Sequence, residues 1–189
     1  IIPISVTQDT AGPMTRTVRQ AAELMHAIVG GDPADASTAE ADKRKVDYVA
    51  TLDAGSIKGR RLGVMRFAPG FGTDAALEQA LTLLRAHGAE IVEIKEWGGP
   101  KEQPEQLEVL HTEYKAGLKA YLAATPQSVK TRTLADVIAF NKATPRELAL
   151  FGQGLFEQAD KTKGLRDPEY RKARDYGIAY AGPNGIDRL

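Results

Sequence analysis

The feature that most constrains the fold is a strand–helix–strand pattern between residues 61 and 95. Residues 61–67 have the apolar content of a short strand, residues 73–87 repeat leucines at helical spacing, and residues 90–95 are rich in isoleucine and valine. Gly88 ends the helix. Two strands joined through a helix lie parallel, and crossovers of this kind are right-handed. The pattern therefore predicts an α/β fold.

The second half of the chain is expected to be rich in helices. Residues 104–123 carry an apolar stripe at helical spacing. Its members are Leu107, Leu110, Tyr114, Leu118 and Tyr121. Thr133 begins a short helix, and residues 144–147 (Thr-Pro-Arg-Glu) combine an N-cap, a first-turn proline and a capping glutamate, which predicts a helix to about residue 161. Residues 167–169 start the last helix, which is expected to end at Ala181.

The charge balance argues against two classes of partner. The chain has 25 Lys+Arg and 25 Asp+Glu, whereas nucleic acids and anionic membranes attract clustered positive charge. It has no cysteine, which excludes disulfides, thiol chemistry and cysteine-based zinc sites. No apolar run approaches the roughly 18 residues of a membrane span. We expect a soluble protein that binds neither nucleic acid nor membrane, and cytoplasmic and periplasmic locations both fit.

Local motifs offer no catalytic or cofactor site. No serine stands in a Gly-x-Ser-x-Gly elbow, and the three histidines lack His-Glu-x-x-His spacing. Gly70-Phe71-Gly72 lies between a predicted strand and a predicted helix, but Asp74 follows it, so a helix-capping turn is a better interpretation than a phosphate loop. We expect no cofactor and no metal. From these patterns alone, the chain is an α/β domain of unknown function.

Both ends of the chain carry apolar residues, where termini are usually polar. The chain opens with Ile1 and Ile2, without an initiator methionine or a signal peptide, and it closes on residues 185–189 (Gly-Ile-Asp-Arg-Leu). We expect the chain to be a segment of a longer polypeptide.

The opening residues also carry a resemblance to a known family. Residues 2–5 (Ile-Pro-Ile-Ser), followed by residues 8–18 (Gln-Asp-Thr-Ala-Gly-Pro-Met-Thr-Arg-Thr-Val), closely resemble the end of the amidase signature. That signature defines a family of serine amide hydrolases. Residues 113–122, 134–141 and 151–153 are similar to the branch of this family formed by the bacterial peptide amidases, which hydrolyse C-terminal amides of peptides.

The resemblance implies a segment of an α/β/α amidase-signature fold with a mixed central sheet. It also implies an amide hydrolase with a Ser–cis-Ser–Lys triad, in which a neutral lysine accepts a proton through the bridging serine and the other serine attacks the amide carbonyl. In the family, the lysine, the glycine-rich loop and the nucleophile all precede the equivalent of Ile1. We therefore expect residues 1–189 to be a central-to-C-terminal segment of a single amidase domain, incomplete at both ends. Such a segment contains no catalytic residue and is inactive alone.

Asp9 is the one residue with a supporting role that the resemblance carries over. It matches the family's acid that pairs with an arginine near the nucleophile and braces the catalytic loop. Taken from the residues alone, Asp9 instead bonds turn amides or caps the next helix, as aspartates in such turns often do.

Glu113, Tyr114 and Gln153 are the candidate substrate-binding residues, because helices of this half of the chain cover the substrate channel in the family. The alternative for two of them is structural. Tyr114 then belongs to the hydrophobic core, and Glu113 is an exposed charge on the helix surface.

Three functions stay open at this point. The first is hydrolysis of small-molecule or peptide amides, with peptide C-terminal amides as the substrate of a monomeric full-length parent. The second is an amidotransferase-type subunit of the same family, which binds a partner protein and passes ammonia to a charged tRNA. The third is a non-catalytic α/β domain that binds a ligand.

Overall fold

The computed structural model describes residues 2–50, 52, 54–66, 72–95 and 104–189. These residues form two compact units. The first consists of residues 2–9 and 104–189, and the second consists of the described residues between 10 and 95. No helix of the described part is long and apolar enough to cross a membrane.

The second unit begins with two short helices, α1 (Val18–Ile28) and α2 (Ala41–Arg44). Thr17 is the N-cap of α1, and its side chain accepts a hydrogen bond from the Gln20 N–H at 3.2 Å. This contact satisfies one of the amides that a helix start leaves unpaired. Two 3₁₀ turns, Ala36–Thr38 and Ala54–Ile57, complete the segment before the sheet.

A strand–helix–strand arrangement follows, as the sequence pattern predicts. Strand β1 (Arg61–Met65) pairs in parallel with β2 (Glu90–Ile94), and helix α3 (Asp74–Ala86) connects them. The register aligns Arg61 with Glu90 and Met65 with Ile94. Gly88 adopts a left-handed φ of 89°, which favours glycine after a helix. The α/β prediction is confirmed.

The side chain of Arg66 links the three elements of this arrangement. Its guanidinium lies 2.5 Å from the Glu78 carboxylate of α3 and 3.0 Å from that of Glu93 of β2. Gly70 and Phe71 of the glycine-rich turn lie outside the described residues, whereas Gly72 has a left-handed φ of 73°.

The described part of the first unit is built from helices, which confirms the helix-rich second half. These are α4 (Pro104–Ala123), α5 (Leu134–Ala143), α6 (Gly154–Asp160) and α7 (Pro168–Ala181), with 3₁₀ turns at Pro145–Leu148 and Ile186–Arg188. One hydrophobic cluster joins α4, α5 and α6, and a second joins α4 and α7. The first contains Leu118, Leu122, Leu134, Ile138 and Ala159, and the second contains Val109, Tyr170 and Ala173.

The apolar stripe predicted for α4 is wrong at both ends. Leu107 is 51% exposed and Tyr121 is 40% exposed. The buried face instead includes Thr112 and Glu113, which the sequence places among the polar residues of the helix. A polar helix face can be buried when its groups have hydrogen-bond partners. Here the partners of Glu113 are Ser5, Thr7 and Tyr170.

The single helix predicted from 144 to about 161 is also wrong. Residues Pro145–Leu148 form only a 3₁₀ turn, and α6 begins at Gly154 after a break. The Thr144 side chain makes no capping hydrogen bond. Gly152 and Gly154 are poor helix formers, so a continuous helix through this region is disfavoured.

The carboxyl end of α4 is closed by one arginine from the following loop. Arg132 Nη1 donates to the carbonyl oxygens of Leu122 (2.7 Å) and Thr125 (3.1 Å), and Nη2 donates to that of Pro126 (2.7 Å). The last carbonyls of a helix have no partner within the helix, and a cation is favourable at this end. Arg132 therefore fixes the turn between α4 and α5.

Replacement of Arg132 with methionine is expected to lower the free energy of unfolding by about 1–3 kcal/mol, because three carbonyls lose a charged donor. Urea unfolding followed by circular dichroism measures this change. The control is Arg146→Met at an exposed position, with an expected change within about 0.5 kcal/mol. Equal effects of the two substitutions would contradict the assigned role of Arg132.

Candidate functional site

The centre of the candidate site is a buried carboxylate. Glu113 lies in the middle of α4 and is 1% exposed. Its Oε2 accepts a hydrogen bond from Ser5 Oγ at 2.6 Å, and its Oε1 accepts one from the Tyr170 hydroxyl of α7 at 2.6 Å. Ser5 and Tyr170 are buried as well. The carboxylate thus joins the N-terminal segment to two helices.

Thr7 supplies the remaining donors to this carboxylate. Its backbone N–H donates to Glu113 Oε2 at 3.1 Å. Its hydroxyl lies 2.7 Å from Oε1 and 2.9 Å from Oε2. Both oxygens of Glu113 therefore receive hydrogen bonds from neutral groups, and we name Ser5, Thr7, Glu113 and Tyr170 the Glu113 cluster.

The Glu113 cluster favours an ionised carboxylate. Burial alone would raise the pKa of Glu113, but the hydrogen bonds from Ser5, Tyr170 and Thr7 outweigh burial and lower it from its ordinary value of 4.5. Burial and the hydrogen bond to Glu113 raise the pKa of Tyr170 to about 12. Tyr170 is therefore a donor and Glu113 an acceptor throughout the neutral range.

Asp9 closes a turn in the same segment. Its Oδ2 accepts a hydrogen bond from the Ile4 N–H at 2.8 Å, and its own N–H donates to the Ser5 carbonyl at 2.7 Å. The side chain is exposed. This contact is the turn-bonding role that the residue type favours. Among the described residues, no hydrogen bond to the other carboxylate oxygen is found.

Tyr114 faces the hydrophobic cluster of α4, α5 and α6. It is half-buried and stacks on Phe156 of α6, with ring centroids 5.4 Å apart. Burial raises the pKa of Tyr114. The structural alternative raised for Tyr114 agrees with this placement. The alternative raised for Glu113, an exposed helix charge, is wrong because Ser5, Thr7 and Tyr170 supply the donors that allow burial.

Gln153 lies away from the Glu113 cluster, at the break before α6. It accepts a hydrogen bond from Asn141 Nδ2 at 3.1 Å and donates to the Ile138 carbonyl at 3.3 Å. This side-chain amide pair lines an open cavity of about 490 Å³, together with the exposed ring of Phe151. The cavity thus has both apolar and amide groups in its lining.

A second cleft, of about 400 Å³, lies between α4 and α7. Val109 and Ala173 form its buried floor, and Thr7 of the Glu113 cluster reaches its edge. In the described part of the chain, no group of three or more His, Cys, Asp or Glu residues could hold a metal ion.

The sequence interpretation singled out Glu113 but missed its partners. Ser5 and Thr7 precede it by 108 and 106 residues, and Tyr170 follows it by 57 residues. The available signal was the residue class: a glutamate beside apolar helix positions needs donors if it is buried, and hydroxyl side chains supply them. Nothing local indicates which hydroxyls these are.

Comparisons with known proteins place this geometry in context. The family model described as Amidase matches residues 1–173. A probable amidase of Arabidopsis thaliana is 33% identical over an alignment of 199 positions, gaps included, which covers 100% of this chain and 37% of that protein. A glutamyl-tRNA(Gln) amidotransferase subunit from Roseiflexus castenholzii is 31% identical over 177 residues, covering 91% of this chain and 31% of that protein.

The fold is also found in a solved structure. The native peptide amidase from Stenotrophomonas maltophilia is 42% identical and superposes with a TM-score of 0.90, covering 100% of this chain and 39% of that one. The chain spans between 31% and 39% of the length of these three relatives.

Replacement of Glu113 with alanine is expected to lower the free energy of unfolding by about 2–4 kcal/mol, because buried hydroxyl and amide donors lose their acceptor. Denaturant unfolding at neutral pH measures the change. The control is Glu169→Ala at an exposed position in the first turn of α7, for which a loss below about 1 kcal/mol is expected. A loss at Glu113 no larger than the control's would contradict the proposed hydrogen-bond network.

The contribution of the Glu113 charge is expected to depend on pH. Because the pKa of Glu113 is lower in the folded chain than its ordinary 4.5, ionised Glu113 stabilises the fold above pH 4.5. This stabilisation is lost as the pH falls through the folded pKa. The difference in unfolding free energy between the native chain and Glu113→Gln, measured from neutral pH to about pH 3, should therefore shrink below pH 4.5. A difference that stays constant over this range would contradict the assignment.

Proposed function

The chain belongs to the amidase family, and we propose that the protein it represents hydrolyses amide bonds, with C-terminal amides of peptides as substrates. The observation that carries the substrate class is the 42% identity and the TM-score of 0.90 to a peptide amidase over the whole of this chain. The cavity beside Gln153, with its apolar wall and amide pair, supports a peptide ligand.

We propose that residues 1–189 are the central-to-C-terminal segment of a single amidase domain. The chain covers 39% of the peptide amidase that it matches, and further strands would complete the parallel pair β1–β2 into a larger sheet. The Ser–cis-Ser–Lys triad of the proposed reaction then comes from outside this segment. There the lysine takes the proton of the attacking serine through the bridging serine and returns it to the amide nitrogen, which leaves as ammonia as the acyl-enzyme ester forms. Water then attacks this ester, releases the acid and restores the serine.

In this reaction Asp9 is a bracing residue. One of its carboxylate oxygens holds the Ile4 N–H, and the other is available to an arginine of the catalytic loop. Gln153 lines the substrate channel in the proposal, whereas Tyr114 supports it from the hydrophobic core through Phe156, which also lines the cavity. The role of Glu113 is to hold the N-terminal segment, since both of its oxygens are already occupied by donors of the chain.

A second candidate function is that of an amidotransferase subunit. The observation that favours it is the 31% identity to the Roseiflexus castenholzii protein over 91% of the chain. This function requires a partner protein and a charged tRNA. The charge balance, with 25 basic and 25 acidic residues, offers no excess positive charge for the tRNA. We prefer the peptide amidase function, because the identity to the peptide amidase is higher, at 42% against 31%. A monomeric parent is part of the same proposal.

The full-length protein is expected to release ammonia from a peptide with a C-terminal amide, and the 189-residue chain alone is expected to release none. An enzyme-coupled ammonia assay measures both. Asp9→Asn is expected to lower kcat by about 10–100-fold, because a brace to the catalytic loop is weakened. The control is Asp187→Asn, whose side chain is exposed in the described structure and lies outside the proposed site; its kcat is expected to stay within about twofold of the native value.

Two results would contradict the proposal. One is an absence of turnover by the full-length protein with amidated peptides of several sequences. The other is ammonia transfer to a charged tRNA, together with a stably bound partner protein, which would establish the second candidate.

A further inference from the structure

We propose that α4 is a docking platform for the segment of residues 2–9, and that Glu113 and Gly117 are its positioning residues. The platform fixes the turn that carries Asp9. The expected effect of Glu113 and Gly117 on the rate of amide hydrolysis rests on the proposed function. Their expected effect on the mobility of residues 2–9 does not.

The polar half of the platform is the Glu113 carboxylate. It holds the segment at both Ser5 and Thr7, through two side-chain hydroxyls and one backbone N–H. Three hydrogen bonds from Ser5 and Thr7 to one carboxylate restrict the conformation of the backbone between these two residues. Glu113 therefore selects the path of the segment as well as its location.

The steric half of the platform is Gly117, one helical turn further along α4. A Cβ atom at this position would lie 3.1 Å from Pro3 Cγ and 3.3 Å from Pro3 Cβ, closer than ordinary carbon contacts. Glycine thus permits the close approach of the Pro3 ring to the helix. Glu113 and Gly117 lie on the same face, because residues four apart on a helix are neighbours.

The position of the docked segment determines the position of Asp9. The Ser5 carbonyl accepts hydrogen bonds from the N–H groups of Gln8 (3.1 Å) and Asp9 (2.7 Å). The Asp9 carboxylate in turn accepts the Ile4 N–H. Residues 4–9 are therefore a closed turn, and a shift of Ser5 on the helix moves Asp9 with it.

Each positioning residue has a substitution that disturbs it in a different way. Glu113→Gln keeps the shape of the side chain but removes the charge that strengthens the hydrogen bonds. Gly117→Ala leaves every hydrogen-bonding group in place and pushes against Pro3. The matched controls are Glu169→Gln, which is exposed, and Gly177→Ala in α7, where a Cβ would meet no atom within 4 Å.

The first measurement is hydrogen–deuterium exchange of the full-length protein, read by mass spectrometry on peptides that cover residues 2–9. Both test substitutions are expected to speed exchange of this segment by at least about tenfold, because the amides of Thr7 and Asp9 open more often. Exchange of peptides from α5 is expected to stay unchanged, which separates local release from global unfolding. The two controls are expected to leave the exchange of residues 2–9 as it is in the native protein.

The second measurement is amide hydrolysis by the same variants, corrected for the folded fraction. Both test substitutions are expected to lower kcat by about tenfold with KM changed less than about twofold, since the bracing of the catalytic loop is lost but the substrate site is kept. Unchanged exchange of residues 2–9 in both variants would overturn the platform. Faster exchange with an unchanged kcat would overturn the link to catalysis.

The two measurements also separate this inference from the proposed function. If the native full-length protein hydrolyses no amide, the proposed function fails, and the exchange of residues 2–9 still decides whether α4 positions them.

Discussion

The packing of the first unit, residues 2–9 and 104–189, depends on one buried anion, the carboxylate of Glu113. Moving a carboxylate out of water costs several kcal/mol, and here no cation offsets that cost, because none of the salt bridges among the described residues involves Glu113. Neutral donors from Ser5, Thr7 and Tyr170 stabilise the charge instead. If one of these donors is removed, the remaining donors must stabilise the same buried charge. The carboxylate therefore ties the N-terminal segment, α4 and α7 together as a group.

This interaction also explains which parts of the sequence resemble the amidase family. Two of the stretches that carry the resemblance, residues 2–5 and residues 113–122, are more than a hundred positions apart. In the structure these two segments contact each other, with Ser5 on Glu113 and Pro3 on Gly117. Two motifs that look independent in the sequence are thus the two sides of one contact.

The elements of the fold that depend on local patterns could be predicted from the sequence. The predicted bounds of helices α3, α4 and α7 and strands β1 and β2 agree with the structure to within about two residues, because their periodicity and caps lie within each element. The helix predicted across residues 144–161 failed because Gly152 and Gly154 outweigh a favourable start signal. Between residues 144 and 161, the low helix propensity of the interior residues outweighs the favourable N-terminal signal.

The candidate site was harder to predict than the fold. Glu113 was found by resemblance, but its burial depends on partners that the chain supplies from both of its ends. The hydrophobic stripe of α4 pointed to Leu107 and Tyr121, both of which are exposed. A period of apolar residues cannot indicate that a helix buries a charge, since the compensating donors are distant in sequence.

The most direct test of the account is a double-mutant cycle between Ser5→Ala and Glu113→Ala, measured as free energies of unfolding of the protein at neutral pH. A charge-assisted hydrogen bond between buried partners predicts a coupling of about 1–3 kcal/mol. The two losses should therefore add up to more than the loss in the double variant. Additive losses, within about 0.5 kcal/mol, would contradict the claim that the Glu113 carboxylate holds the N-terminal segment on α4.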